Sequence, residues 1–239
     1  MRRLGWPKPP GSSLMFRNSH ILLGGCLLAL GASVVNVVFL LQTGTSVSHL
    51  TGDISKLAAD IVRASPEMLL EAQRVGLAAG GFIAGAVSAG FLIHQSNLEL
   101  SRPYGRTILF IGALLLGTHW LMPVSDRGAI TVAAFACGLQ NALATRFRGI
   151  VLRTTHLTGL LTDFGAAIGM KLRGHPVPRH GIVVPAAISF SYFAGAFAGC
   201  LGAVKFRLPL LPIVGGAYLL GGVCWSVVKR LPPRTMPDA

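Results

Sequence analysis

This sequence of 239 residues contains little charge. Charged residues make up 12% of the chain and only eight residues are acidic, whereas about 25% of the residues in an average soluble domain are charged. Hydrophobic residues make up 52% of the chain. A soluble protein with so few charges could not cover its surface with polar groups. The composition therefore argues against a soluble domain and predicts an all-α, polytopic membrane protein.

The sequence also lacks the short motifs that mark common enzymes. It has no G-x-S-x-G, H-E-x-x-H, C-x-x-C or Walker sequence, so we predict neither catalytic residues nor a bound cofactor. No metal is predicted either, because a zinc site needs three or four ligands. The cysteines lie within apolar runs, where they are expected to be small buried side chains. These are Cys26, Cys137, Cys200 and Cys224.

The formal net charge of +13 does not indicate binding to nucleic acid. The basic residues do not form one face of a soluble domain; they cluster between apolar runs, where they act as topology signals. Fifteen of the 21 Lys and Arg residues fall on one side of the predicted membrane, so both termini are predicted to be cytoplasmic. Lys205 and Arg207 are exceptions, since they fall on the opposite side. The expected setting is a bacterial inner membrane.

Six apolar runs are candidates for transmembrane helices, each of which needs about 20 residues. They follow a basic N-terminal segment, residues 1–20, and precede a short cytoplasmic tail, residues 231–239. Ser65-Pro66-Glu67 has the composition of a helix start, with a capping Ser and Pro in the first position. The predicted spans are residues 21–42, 69–94, 107–122, 129–144, 182–204 and 208–228.

The chain contains an internal duplication. The tetrapeptide H-L-T-G occurs at residues 49–52 and again at 156–159, and in each copy an Asn precedes a Gly by eight residues. Further matches follow in the same order at nearly the same offset, which argues against chance similarity. They are FIAGAV at 82–87 with YFAGAF at 192–197, and GALLLG at 112–117 with GAYLLG at 216–221.

Each predicted repeat contains three spans, the first within residues 21–124 and the second within 125–230. Because three is odd, the second copy must enter the membrane from the opposite side. The loop at 43–68 has two basic and three acidic residues, whereas the equivalent loop at 145–181 has six basic residues and one acidic residue. Equivalent loops of opposite charge are expected of inverted repeats, which are widespread in secondary transporters.

The motif segments resemble those of the YoaK family, bacterial six-span membrane proteins of unknown function. The resemblance rests on SHLTGD at 48–53, GLQNALATRFRG at 138–149 and TTHLTGLLTDFG at 154–165, and it extends over about residues 20–230. It implies a six-span helical fold and no particular activity. In the family, an Asp commonly stands at the position of Asn36 and an Asn at the position of Asp53. This chain therefore lacks the charge that the family commonly has at position 36.

The repeated motif is a candidate binding site for a small, possibly anionic solute. Each copy precedes a helical pattern, so Thr51 and Thr158 are expected to cap helices, and helix N-termini attract anions. Interrupted helices in transporters direct such N-termini at their substrates. We therefore predict a site formed by His49, Thr51, Gly52, His156, Thr158, Gly159, Asn36, Asn141 and Asp163.

Other interpretations of these residues remain open. The motifs can be purely structural loop anchors, and Asp163 can pair with Arg146, Arg148 or Arg153. The segments that follow the motifs can be re-entrant, or, in the first copy, an amphipathic helix that lies flat on the membrane surface. The G-x-x-x-G spacings predict close helix packing at Gly81, Gly85, Gly195 and Gly199. We expect a transporter or permease first, a membrane scaffold or assembly protein second and an intramembrane enzyme third. The expected partners are membrane lipid, an unidentified small solute and possibly a second copy of the chain.

Overall fold

The computed structural model describes residues 12–92, 104–143 and 154–228, and within these ranges the chain is all-α. Short turns join α2 to α3, α4 to α5, α6 to α7, and α7 to α8. The helices are α1 (Ser12–Thr43), α2 (Leu50–Arg63), α3 (Pro66–Leu92), α4 (Tyr104–Leu121), α5 (Asp126–Leu143), α6 (Leu157–Leu172), α7 (Arg179–Val204) and α8 (Leu210–Val228).

Four of these helices are long and apolar enough to cross a membrane. They are Ile21–Thr43 within α1, α3, α7 and Leu210–Val227 within α8. Large apolar side chains point outward from them, among them Phe193 and Phe197 of α7. Such surfaces are those of a helical membrane protein. Helices α4 and α5 have 18 residues each, or about 27 Å, slightly less than the hydrocarbon core. The six-span count therefore stays a prediction.

The predicted helix start at Ser65 is confirmed. Helix α3 begins at Pro66, and the Ser65 hydroxyl oxygen accepts a hydrogen bond from the Met68 N–H (3.3 Å). The bond satisfies one of the free N–H groups in the first turn. Pro66 has no N–H to satisfy, so it fits the first position without loss.

The predicted capping role of the motif threonines is wrong. Helices α2 and α6 begin at Leu50 and Leu157, so each motif histidine occupies the N-cap position and each threonine is the second helical residue. Neither histidine makes a side-chain capping bond. Each helix begins before the threonine that was predicted to cap it, because an asparagine side chain holds the residues just before each histidine in place, as described below.

Two pairs of helices pack side by side in the same direction. A methyl group added to Gly195 of α7 would overlap Leu30 of α1, and one turn later Gly199 approaches Val34. The contacting residue numbers increase together along the two helices, so α1 and α7 run parallel. Helices α3 and α5 pack in the same way, since Gly81 lies against the backbone of Thr131 and Gly85 against that of Phe135. At these positions glycine allows the backbones to approach closely.

Helices α4 and α8 form a third pair, which runs antiparallel. Gly105 lies against the carbonyl oxygen of Gly222, and Gly112 lies against that of Gly215. The contacts are reciprocal, because a methyl group on either glycine of a pair would approach the other's carbonyl oxygen. The shorter helices complete the bundle: α2 packs on α3, α6 packs on α7, and α1 also contacts α5 and α8.

We expect Gly85→Ala to destabilise the bundle. The new methyl group would meet the backbone of Phe135 and Leu139, which cannot rotate away as a side chain can, and overpacking typically costs about 1–3 kcal/mol. The measurement is the unfolding temperature in detergent micelles. Gly80→Ala on the same helix is the matched control, since its methyl group would enter open space. Equal unfolding temperatures for the two variants would contradict the α3–α5 packing.

Candidate functional site

Asn36 of α1 anchors the segment that leads into the first motif. Its side-chain oxygen accepts hydrogen bonds from the hydroxyl groups of Ser46 (2.8 Å) and Ser48 (3.0 Å). The same oxygen accepts bonds from the backbone N–H groups of Val47 (3.1 Å) and Ser48 (3.2 Å). One buried amide therefore satisfies most of the polar groups in a short stretch of irregular backbone, as buried donors require.

Asn141 of α5 does the same for the second motif. Its side-chain oxygen accepts bonds from the Thr154 hydroxyl and the Thr155 N–H, both at 3.2 Å. Its NH₂ group donates to the Thr155 hydroxyl oxygen. Thr155 and Ser48 are equivalent residues, since each immediately precedes its motif histidine. The two asparagines thus have matching roles. Each one bonds the segment before its motif, whereas an amide within a span usually bonds a neighbouring helix.

The two anchored segments contact each other. The Thr155 hydroxyl donates to the backbone carbonyl of Ser48 at 3.5 Å, a long bond between residues 107 positions apart. Ser48, Thr154 and Thr155 are all buried. The starts of α2 and α6 therefore lie close together inside the bundle.

The depth of this contact follows from α1. Asn36 lies seven residues before the end of that helix at Thr43, which corresponds to about 10 Å along the axis. Gly44 then takes a left-handed conformation (φ 70°), which glycine adopts readily. The chain reverses there and returns along α1 to Asn36. Helix α2 thus starts inside the bundle rather than at its edge.

Gln140 and Tyr218 form further hydrogen bonds in the same region. Neither residue was predicted as part of the site. Gln140 donates to the Leu28 carbonyl of α1 (3.0 Å) and to the Thr154 hydroxyl (2.9 Å). The Tyr218 hydroxyl of α8 donates to the Gln140 side-chain oxygen. An amide within an apolar run is a sequence signal for such bonding, but the signal does not identify the partners.

His49 is half-buried at the start of α2. Its ring packs edge-on against Tyr192 of α7, with ring centroids 5.0 Å apart. Its Nε2 atom is buried and has no hydrogen-bond partner among the described residues. Burial lowers the pKa of His49; Asp53 opposes this shift and His156 adds to it. The imidazole is therefore neutral over a wider pH range than in water.

His156 is arranged differently. It is exposed, and its ring folds over Gly159, where an added methyl group would overlap the ring. The equivalent Gly52 faces open space. The two motifs therefore have similar backbones, but only His49 is enclosed.

The remaining predicted residues lie around this centre. Asp53 accepts a bond from the Ser46 N–H (3.1 Å), and burial raises its pKa despite that bond. Thr51, Thr158 and Asp163 are exposed, and the arginines proposed to pair with Asp163 lie outside the described residues. Among the described residues, no group of three or more His, Cys, Asp or Glu is placed to hold a metal ion.

The comparisons with known proteins bear on the family alone. A family model described as "Protein of unknown function (DUF1275)" matches residues 24–224. The chain belongs to the DUF1275 family. The match includes both H-L-T-G motifs and both anchoring asparagines. The family description names no activity. No curated protein and no solved structure matches the chain.

We expect Asn36→Ala to destabilise the protein strongly. The change leaves the Ser46, Val47 and Ser48 donors without their acceptor, and each buried unsatisfied group costs about 1–3 kcal/mol. Asn36→Asp keeps the acceptor oxygens and should retain most of the stability, because four donors would stabilise a carboxylate. Thermal unfolding in micelles measures both. Equal stability of Asn36→Ala and wild type would exclude the anchoring role.

Proposed function

We propose that this protein is a membrane transporter for a small anionic solute, built from two inverted repeats. One observation carries the proposal: the segments that lead into α2 and α6 meet inside the bundle, where both are buried. These segments are joined by the bond from Thr155 to Ser48. Interrupted helices that meet at a repeat interface form the substrate sites of many secondary transporters.

The pattern of helix contacts supports the repeats. In the two repeats, α1–α4 correspond in order to α5–α8. If each helix is replaced by its counterpart, the α1–α7 pair becomes the α5–α3 pair and the α2–α3 pair becomes the α6–α7 pair. Both of the resulting pairs are present. The α4–α8 pair maps onto itself. The packing directions also agree, because alternating spans would make α1 parallel to α7, α3 parallel to α5, and α4 antiparallel to α8. The order of the repeated motifs and the YoaK-like segments support the same six-span organisation.

The chemistry of the two helix starts supports an anionic substrate. Neither N-cap histidine caps its helix with a side-chain bond, so no histidine side chain occupies the N–H groups of the first turns. Each helix also places a partial positive charge at this end. His49 adds a buried side-chain nitrogen with no hydrogen-bond partner among the described residues, and the exposed Thr51 and Thr158 add hydroxyl groups. A carboxylate or phosphate could bind such a group of donors.

The proposed arrangement in the membrane follows the charge distribution. Residues 21–124 and 125–230 would form the two halves, with both termini in the cytoplasm and the protein in a bacterial inner membrane. The basic loop at 145–181 would face the cytoplasm and the acidic loop at 43–68 the opposite side.

A second candidate function is a membrane scaffold. It is favoured by the dense burial of the anchored segments, since Val47, Thr154 and Thr155 are each at most 3% exposed. Segments held this firmly could serve as loop anchors without binding any solute.

Uptake into proteoliposomes distinguishes the two functions. With a panel of small carboxylates, phosphate and sulfate, we expect saturable uptake of at least one anion by the wild type. His49→Ala should reduce it about tenfold or more, because a hydrogen bond to a charged group contributes roughly 1.5–3 kcal/mol. The control is His175→Ala, which changes an exposed histidine in the α6–α7 loop. Folded protein that moves none of these anions would instead support the scaffold.

A further inference from the structure

A cavity of about 390 Å³ opens at one end of the bundle, and no motif residue lines it. It lies where α1 and α4 end and where the turn between α7 and α8 passes over them. Three of its lining residues are polar: Gln42 of α1, His119 of α4 and Arg207 of the turn. The other walls are mainly apolar, including Leu41 and Leu211, and no acidic residue lines the cavity.

The backbone holds Arg207 in an unusual conformation. Its φ is 49°, in the left-handed region that residues other than glycine seldom adopt. The turn is fixed on both sides, because the Lys205 N–H bonds the Leu201 carbonyl (3.0 Å) and the Leu208 N–H bonds the Gly202 carbonyl (3.0 Å). Glycine would meet the backbone requirement without strain. Left-handed residues are common just after a helix, and Ala64 ends α2 in the same way (φ 53°), so the conformation places Arg207 at the cavity but does not by itself indicate a ligand.

The position of Arg207 in the sequence is unusual as well. Together with Lys205 it falls on the predicted side of the membrane that has few basic residues. Arg207 lines the cavity, whereas Lys205 does not, so only Arg207 is placed to bind an anion there.

We propose that this cavity binds an anionic group, phosphate or carboxylate, attached to an apolar body. A guanidinium presents paired donors that match both anions. His119 of α4 and Gln42 of α1 also line the cavity and can add donors, and the apolar residues accommodate a hydrocarbon portion. The volume lies within the range of small-molecule sites. This site does not depend on transport, since it involves none of the motif residues.

Two sources could supply such a ligand: an anionic lipid headgroup or a water-soluble amphiphilic anion. Native mass spectrometry of the purified full chain, supplied with phosphatidylglycerol or phosphatidylcholine, tests the lipid. Thermal unfolding with increasing butyl phosphate tests the soluble anion, and inorganic phosphate shows whether the apolar portion contributes. Selective retention of phosphatidylglycerol identifies a lipid site, whereas a saturable shift with butyl phosphate identifies a soluble ligand.

Three variants decide whether Arg207 is responsible. Arg207→Gln should weaken binding of the effective probe by about tenfold or more. Lys205→Gln removes an equal charge from the same exposed turn outside the cavity and should leave binding nearly unchanged. Arg207→Gly should also abolish binding while raising the unfolding temperature, because it relieves the backbone strain; its loss of binding therefore cannot be attributed to misfolding.

Two results would overturn the proposal. One is the absence of selective binding for both phosphatidylglycerol and butyl phosphate. The other is equal loss of binding in Arg207→Gln and Lys205→Gln, which would mean that only general surface charge attracts the probe.

Discussion

The structure depends on how two stretches of irregular backbone are kept inside an apolar bundle. Buried N–H and C=O groups must find partners, and in a membrane protein water is seldom available to supply them. Asn36 and Asn141 provide those partners, each for the residues just before its own motif. Because these segments are satisfied, the chain can stop one helix and start another within the bundle. The paired helix starts, the enclosed His49 and the contact between the two halves all follow from this arrangement.

Glycine provides the second requirement, which is close packing between the halves. Gly85 brings α3 against α5, and Gly195 brings α7 against α1. These are equivalent positions in the repeated A-G-A sequence, so one residue type makes the same kind of contact twice. The close pairs surround the polar centre, where Gln140 and Tyr218 link α5, α1 and α8. The polar centre and the glycine contacts thus position the same helices.

Much of this organisation could be predicted from local sequence, and the rest could not. The helix start at Ser65 was predictable because its signals lie within three neighbouring residues. The order of the motifs likewise indicated an equivalent pair of segments. The partners of Asn36 and Gln140 were not predictable, because an amide does not encode which of many donors or acceptors will be nearby. The contact of His49 with Tyr192 joins residues from different halves of the chain. The misplaced threonine caps have a similar cause, since the distant asparagines determine where each helix begins.

The most direct test of the central claim is cross-linking between the two halves. Ser48→Cys and Thr155→Cys, combined in a chain whose native cysteines are replaced, should form a disulfide in membranes under oxidising conditions, because the two positions are buried against each other. Ser55 and Thr162 lie at equivalent positions further along α2 and α6, two helices that do not contact each other. That pair should not cross-link. Cross-linking of Ser48→Cys with Thr155→Cys alone is the predicted result. Failure of this pair, or equal reaction of both pairs, would contradict the contact between the segments that precede α2 and α6.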